Sequence, residues 1–207
     1  MVTVLGVAAR AGGTLYSLDL FKEFADRYNF AIWPKLDEIV SHASKLTFKV
    51  GRYKQYQIND FEIYNDGIVI KAAIDTDVID EFINDALCFI DEKWDIRLEK
   101  ANTIDKMYQS VITFASDKDI LSPLNAAKSL FFDVQEGVKN ATGFDIPFAS
   151  AGFFLSVDEA TIPSMKPTAF KIERRAGIEF QFNHYFSAAP LRTSDHVRTL
   201  EKWEASV

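Results

Sequence analysis

The sequence contains few of the residues that form disulfides, bind metal ions or make flexible linkers. Its 207 residues include one cysteine, three histidines, six prolines and nine glycines. Cys88 has no partner for an intrachain disulfide, and such sparing use of cysteine favours a cytoplasmic location. No apolar run approaches the roughly 20 residues of a membrane-spanning helix, so we predict that the chain has no membrane partner. The apolar N-terminus lacks the basic start of a signal peptide, and we do not expect one there.

Motifs for catalysis, metal binding and phosphate binding are also missing. The chain has no His-x-His, Cys-x-x-Cys, His-Glu-x-x-His, Gly-x-Ser-x-Gly or Walker-type loop. Asp75 and Asp77 come closest to a carboxylate pair for a cation, but helix capping explains them better. Cys88 lies in an apolar helical pattern and is expected to be a buried structural thiol. We therefore predict no metal, no cofactor and no identifiable catalytic residue, while catalytic groups that converge from distant segments leave an enzymatic activity open.

Charge and aromatic content narrow the range of partners. The net charge is -7, which disfavours non-specific binding to nucleic acid, so nucleic acid is not an expected partner. Phenylalanine is abundant, with 18 copies. Because buried aromatic rings dominate the energetics of cores and interfaces, this excess predicts a rich core, an aromatic-lined pocket or an adhesive face.

A weak internal echo is the most informative positive feature of the chain. The segments 61–70 and 170–180 both read Phe-x-Ile, then a short polar turn, then Gly-Ile. Fixed-period self-similarity is the usual sign of a repeated structural unit. We interpret the echo as two pseudo-repeated halves, 14–100 and 118–207, within a single domain of residues 1–207. Chance recurrence of hairpins and capped helices is the alternative.

Each half is predicted to run helix, strand, hairpin, helix. Predicted helices begin at Ser17, Thr76 and Ser122, and the last begins at Thr193 or Ser194. The predicted strands outside the hairpins are 3–8, 46–50, 107–115 and 148–157. This order of elements favours an α+β fold with a mostly antiparallel sheet and helices packed on one face.

The first predicted hairpin spans 61–73. Asp66-Gly67 is a strong signal for a two-residue turn. Such a turn would set Ile63 opposite Ile70. It would also set Glu62 opposite Lys71, a favourable cross-strand pair of opposite charge.

The second predicted hairpin depends on a three-residue turn at 175–177. The predicted strands are 169–174 and 178–186. This register would set the apolar Ile172 opposite Phe180. It would also set Glu173 opposite Glu179, which is an unfavourable pair of like charges.

The strand 178–186 carries the candidate pocket. His184 falls on the same predicted face as Phe180, Phe182 and Phe186. Such a face would suit a small ligand bound between sheet and helices, with His184 or Arg174 orienting a polar or anionic group. A hydrogen-bonded core or rim histidine is the alternative, and it is the commoner arrangement.

A basic and aromatic stretch is the candidate interaction surface. It consists of Lys49, Arg52, Tyr53, Lys54 and Tyr56. Cations interleaved with rings can bind single-stranded nucleic acid. Lysines also protect edge strands from unwanted pairing, and the acidic character of the whole chain favours this second interpretation.

Together these features favour a non-enzymatic protein–protein interaction or assembly module that associates with itself. A homodimer is the default, because isologous dimers are the commonest oligomers, and a different protein partner stays open. The alternative hypothesis is a small-molecule-binding protein with an aromatic-lined pocket between sheet and helices.

Overall fold

The computed structural model describes residues 2–5, 18–35, 37–38, 45–64, 67–94, 106–158 and 167–207. These residues form an α+β fold with two antiparallel sheets, which confirms the predicted fold class. Contacts between Cα atoms divide the chain into two compact units. The first unit contains residues up to 109 together with 191–193, and the second contains 110–190 together with 194–207. The single domain inferred from the sequence stays a prediction.

The described part of the first unit contains a five-stranded sheet and two long helices. Its elements are β1 (Val2–Leu5), α1 (Leu18–Arg27), β2 (Lys45–Tyr53), β3 (Tyr56–Tyr64), β4 (Gly67–Lys71), α2 (Thr76–Trp94) and β5 (Lys106–Tyr108). The strand order is β2-β3-β4-β1-β5, and every pairing is antiparallel. Helix α2 begins at Thr76, as predicted. Its first turn is capped by Asp75, whose carboxylate accepts the N–H of Asp77 at 2.9 Å.

Aromatic rings fill the core of the first unit. The apolar stripe of α1 turns Phe21 and Phe24 onto the sheet, where Phe24 lies 5.1 Å from Phe48 of β2 and 4.9 Å from Phe61 of β3 between ring centroids. Phe82 of α2 packs on Phe61 at 5.8 Å. All five rings are buried, so much of the phenylalanine excess serves this core.

The register predicted for the first hairpin is wrong by two residues. Phe61, not Ile63, lies opposite Ile70, because Gly67 pairs with Tyr64 as a strand residue. Side chains in a strand alternate with period two, so a two-residue shift leaves every side chain on its predicted face. The expected ion pair still forms, although along a diagonal, since Lys71 Nζ lies 3.1 Å from Glu62 Oε1.

The second unit is a four-stranded sheet with flanking helices. Its elements are β6 (Ser110–Ala115), a 3-10 helix (Ser122–Ala127), α3 (Lys128–Thr142), β7 (Gly152–Leu155), β8 (Phe170–Arg174), a 3-10 turn (Phe180–Phe182), β9 (His184–Ala189) and α4 (Thr193–Ala205). The strand order is β6-β9-β8-β7, again antiparallel. The single strand predicted at 107–115 is interrupted at Gln109, and its two pieces, β5 and β6, belong to different sheets.

The strand predicted at 178–186 is wrong over its first six residues, since β9 begins at His184. Residues 175–183 form a loop, and Asn183 adopts a left-handed conformation with φ of 49°. Ile172 therefore lies opposite Ser187, and Glu173 opposite Phe186. The loop removes the unfavourable pairing of Glu173 with Glu179, and Lys171 neutralises Glu173 instead at 2.8 Å.

The two sheets share an order of strands. Among the elements named above, both units run strand, α-helix, three strands and α-helix, and the first strand pairs with the last of those three strands. Thus β1, β2, β3 and β4 correspond to β6, β7, β8 and β9, and β5 is an addition to the first sheet. Phe61 and Phe170, which anchor the sequence echo, lie on the corresponding strands β3 and β8. A sequence repeat stays a prediction.

The core of the second unit is smaller than that of the first. Its buried apolar residues are Ile120, Leu121, Ile172, Tyr185 and Leu200. Around them lie side chains that are only partly buried, including Phe153 on β7, Phe170 on β8 and Trp203 on α4. Its sheet therefore keeps apolar surface that the first unit would bury.

Candidate functional site

Helix α3 differs from the other long helices because it has no buried residue. Gly143 ends it in a left-handed C-cap with φ of 78°, and the Gly143 N–H donates to the carbonyl of Lys139 at 2.8 Å. The end of α3 is thus fixed by a local hydrogen bond, although the helix has no buried side chain.

Apolar side chains are exposed along α3 and along the chain after it. We call this set the 130–157 surface, and its members are Leu130, Phe132, Val134, Phe144, Ile146, Phe148, Phe154, Leu155 and Val157. The most exposed are Phe154, at 73%, and Phe144, at 69%. Monomeric proteins rarely expose large apolar areas, so such a surface is typical of an interaction site.

One face of α3 is apolar over its full length. Leu130, Val134, Gly137 and Ala141 follow one another at spacings of four, three and four residues, which places them on one side of a helix. The half-buried Phe131 borders this face. The pattern is the one by which helices pack on other elements.

The chain that leaves α3 is held against the helix by Asp145. Its carboxylate accepts a hydrogen bond of 2.7 Å from Gln135 and pairs with Lys139 at 3.0 Å. These two contacts, the Gln135 bond first, hold the pKa of Asp145 below its usual value. The exposed residues Phe144 and Ile146 flank Asp145 and are presented to solvent beside α3.

A cavity of about 620 Å³ lies on the other face of the second sheet from α4. One row of register partners crosses its floor: Thr113 on β6, Phe186 on β9, Glu173 on β8 and Gly152 on β7. Gly152 is required there, because a Cβ would lie 2.4 Å from the carbonyl oxygen of Ile172. The volume is within the roughly 300–1,000 Å³ of small-molecule sites.

The structure brings only part of the predicted pocket together. Phe186 and Arg174 line the cavity, whereas Phe180, Phe182 and His184 are not part of its lining. Phe180 and Phe182 lie in the 3-10 turn and are exposed, because the predicted strand begins only at His184. The cavity also lies on the opposite side of the sheet from the predicted site between sheet and helices.

Arg174 is committed to the fold. Its guanidinium donates to the carbonyls of Ser150 and Phe180 at 3.1 and 3.0 Å, and to the carboxylate of Asp119 at 2.7 Å. The guanidinium carbon also lies 4.6 Å from the ring centroid of Phe180. With its side chain only 8% exposed, Arg174 holds three loops together and has little left to offer a ligand.

The neighbouring Arg175 is the cation available to a ligand at the cavity. Its backbone N–H donates to the carbonyl of His184. Within the described part of the chain, its guanidinium has no hydrogen-bond, ion-pair or ring partner. Lys171, by contrast, is paired with Glu173 and stacks on Phe186 at 5.1 Å. The floor thus offers the ring of Phe186, its carboxylate is paired with Lys171, and Arg175 is left as an unpaired cation, an arrangement that can hold an amphipathic anion.

The predicted basic and aromatic stretch lies on β2 and on the turn to β3, and β2 is an edge strand. Lys54 pairs with Glu81 and lies 5.1 Å from the ring centroid of Tyr53, which is itself the register partner of Tyr56. Lys49 bridges to Ile32, so part of the strand edge is covered. These placements fit the edge-strand interpretation, and a binding role for the stretch stays a prediction.

The main feature that sequence reasoning missed is a buried chain of hydrogen bonds in the second unit. His196 of α4 has no solvent exposure, and its ring nitrogens lie 2.8 Å from the hydroxyls of Ser110 and Ser187. The hydroxyl of Ser187 donates to the carbonyl of Lys171 at 2.8 Å. Because that hydroxyl has one hydrogen, it accepts from the His196 Nε2–H, and Nδ1 accepts from Ser110.

This arrangement fixes one neutral tautomer of His196. Burial lowers the pKa of the imidazole, which favours the uncharged form that the chain requires. The ring also packs edge-on against Phe170 at 5.9 Å. Helical periodicity was the available signal, because His196 precedes the buried Leu200 by four residues and shares its face. The network links α4 to three strands and is enclosed, so we assign it a structural role.

Two further observations limit the chemistry. Cys88 is exposed on α2, so the predicted burial of this thiol is wrong; it lies at a solvent-facing position of a helix that buries Leu87 and Phe89 on either side. Among the described residues, no three His, Cys, Asp or Glu side chains converge to hold a metal ion. In the same part of the chain, no helix has the length and apolar character needed to span a bilayer.

Comparisons with known proteins give no family assignment. No protein-family model matches the chain, and searches of curated proteins and of solved structures likewise find no match.

Proposed function

We propose that this protein is a non-enzymatic assembly module that associates with itself, by default as a dimer, through the 130–157 surface. The observation that carries the proposal is a 15-residue helix, α3, without one buried residue. An isolated helix of this length is marginally stable in water, and tertiary packing of its apolar face normally supplies the difference. A second copy of the chain can supply that packing.

The amount of apolar surface suits a dimer. With roughly 150–200 Å² for a large apolar side chain, the 130–157 surface offers on the order of 900 Å². Each partner in a standard interface buries about 800 Å². The nine side chains lie on more than one face, since Phe154 and Leu155 are consecutive in β7 and project to opposite sides of the sheet, so a dimer would bury only part of this area.

Sedimentation equilibrium across a wide range of protein concentration tests the proposal. The wild-type chain should form a discrete dimer. The double variant Leu130→Gln with Val134→Gln, which removes apolar contacts from α3, should be monomeric at the same concentrations. The matched control, Ser129→Gln with Glu136→Gln, changes exposed polar positions of the same helix and should remain dimeric. A wild-type monomer at high concentration, or equal effects of both variants, would overturn the proposal.

A second candidate function is the binding of a small amphipathic anion in the cavity. It is favoured by the apolar side chain of Phe186 and the unpaired guanidinium of Arg175 at one 620 Å³ site. The apolar part of the ligand would lie against Phe154 and Phe186, and its anionic group would pair with Arg175. In a chain of net charge -7, a local cation of this kind gives the site its selectivity for anions.

Calorimetric titration with decanoate and with decanol tests this second function, since the two probes differ in the charged group. Wild type should bind decanoate more tightly. Arg175→Gln should weaken decanoate binding roughly tenfold, or ~1.4 kcal/mol, and leave decanol binding unchanged. Arg52→Gln, at an exposed arginine of the first unit, is the matched control. Absence of decanoate binding, or equal binding by Arg175→Gln, would remove this candidate.

A further inference from the structure

The first unit shows where a helix belongs on this order of strands. There α1, the helix between the first and second strands, packs Phe21 and Phe24 on β2 and β3. Its contacts are with Phe48 and Phe61, which are register partners on those strands. Both helix residues and both strand residues are buried. The helix after the first strand thus completes the core over the second and third strands.

In the second unit no described helix covers the corresponding strands, β7 and β8, in this way. On the face that meets α4 they carry Phe153, Leu155 and Phe170, which we call the β7–β8 strip. Phe153 and Phe170 are only partly buried, and Leu155 is 61% exposed. Leu155 and Phe170 are register partners, so the exposed end of the strip is continuous across both strands.

The helix that corresponds to α1 is α3, and it bears a suitable apolar face. Leu130 and Val134 lie on one side of it and are exposed, with the small residue Gly137 continuing the row. The second unit therefore has a partly exposed β7–β8 strip and a helix, α3, without buried residues. In the first unit the corresponding strands and helix are buried against each other.

We infer that two copies of the chain exchange α3, so that α3 of each copy packs on the β7–β8 strip of the other. The inference rests on the proposed function, because it specifies how self-association occurs. The exchange is reciprocal and closes as a two-fold dimer, which leaves neither helix nor strip free. It buries Leu155 together with Leu130 and Val134, three apolar residues that are exposed in a single copy.

A pair of engineered cysteines tests the exchange. Val134→Cys and Leu155→Cys are introduced in a Cys88→Ser background, since Cys88 is exposed. Both replaced side chains are at least 40% exposed, so the substitutions leave the buried cores intact. Under mild oxidation the pair should link two chains, and peptide mass analysis should find the bond between residues 134 and 155. Glu136→Cys with Leu155→Cys places the first thiol on the opposite side of α3 and is the matched control.

The outcomes separate the exchange from simple self-association. The 134–155 bond between chains should form roughly tenfold or more faster than in the control, because a packed interface raises the effective concentration of the two thiols. A 134–155 bond within one chain would show that α3 closes on its own strip, and would overturn the inference. A predominant 134–134 bond, or free thiols in a chain that sediments as a dimer, would overturn the exchange while leaving the proposed function intact. Free thiols in a chain that sediments as a monomer would remove both.

Discussion

His196 Nε2 lies 2.8 Å from Ser187 Oγ, and neither side chain is exposed to solvent. The Ser187 hydroxyl uses its one hydrogen to donate to the carbonyl of Lys171, so in its contact with His196 the histidine must be the donor. A neutral imidazole can do this while its other nitrogen accepts from Ser110. A protonated imidazole would carry a hydrogen on Nδ1 as well, so the Ser110 hydroxyl would have to accept from Nδ1 and its own hydrogen would lose this acceptor.

The first prediction concerns the pH dependence of stability. Because burial holds the pKa of His196 below its usual value, the unfolded chain gains a proton before the folded chain does. The free energy of unfolding should be at its full value above about pH 6.5 and should fall below that pH, by at most ~1.4 kcal/mol per pH unit from this residue. Urea unfolding at pH 7.5, 6.5 and 5.5 measures this dependence.

His196→Gln is the variant that assigns the effect to this residue. It should lower the free energy of unfolding at pH 7.5 by about 2 kcal/mol, because it disturbs a buried hydrogen-bond network. It should also flatten the dependence between pH 6.5 and 5.5. His184→Asn, at a half-buried position on β9, is the control and should retain the wild-type slope. An unchanged slope in His196→Gln would refute the assignment.

The second prediction contrasts two adjacent arginines. Arg174→Lys should lower the free energy of unfolding by about 2 kcal/mol, because lysine cannot reproduce the three-way contact with Ser150, Phe180 and Asp119. Arg175→Lys should change stability little, since its side chain is exposed. Denaturant unfolding of both variants tests the contrast. Equal losses of stability in the two variants would show that the three contacts of Arg174 do not stabilise the fold.

The third prediction concerns Glu62, a buried carboxylate on β3. Burial alone would raise its pKa, but hydrogen bonds from Tyr64, Lys71 and Lys45 outweigh that effect and leave the pKa below its usual value. Stability from this group is present above about pH 4.3 and is lost as the pH falls through the lower pKa of the folded state. Glu62→Gln should remove this acid dependence.

The size of the Glu62 effect is measured by unfolding at pH 7. Glu62→Gln should cost about 2 kcal/mol, since it leaves two lysines without their shared carboxylate. Glu81→Gln removes an exposed partner of Lys54 and is the control, for which little change is expected. If Glu62→Gln lost no more stability than the control, it would contradict the inference that burial strengthens the ion pairs of Glu62 with its two lysines.

The fourth prediction uses two glycines with opposite surroundings. Gly137 lies within α3, and a Cβ there meets nothing within 4 Å, so Gly137→Ala should stabilise the helix by about 1 kcal/mol. Gly51 lies against Phe30, whose ring would be 2.3 Å from a new Cβ, so Gly51→Ala should destabilise the chain by roughly 1–3 kcal/mol. Thermal unfolding at one protein concentration should move the midpoint up for the first variant and down for the second. A lowered midpoint for Gly137→Ala would show that the helix is closely packed at this position.

Several elements followed directly from local patterns. The start of α2 at Thr76 agrees with the prediction, because an amphipathic period and acidic residues in the first turn are properties of the segment itself. The antiparallel hairpins were also expected, and the faces of β3 and β4 were right although the register was not. Alternation determines which face a side chain occupies, but the turn decides its partner.

The candidate site was only partly predictable. Phe186 and Arg174 were named from the sequence, and both line the cavity. Phe180 and Phe182 were placed beside them by an alternation that the loop interrupts. Arg174 ties that loop to Asp119, which is 55 residues away, and no local pattern reports such a contact. The unburied state of α3 is likewise invisible in its sequence, which reads as an ordinary amphipathic helix.

The sequence by itself determined the class of fold, the helices with strong periodicity and the side chains that would face a core, because these depend on neighbours within about one turn or one strand. The tertiary structure alone decided that Ser110 and Ser187 meet His196, that residues 175–183 leave the sheet, and that α3 stays uncovered. These features depend on contacts between residues far apart along the chain. These contacts contribute free energy only when the whole unit has folded, so they cannot be inferred from patterns among residues that are close in the sequence.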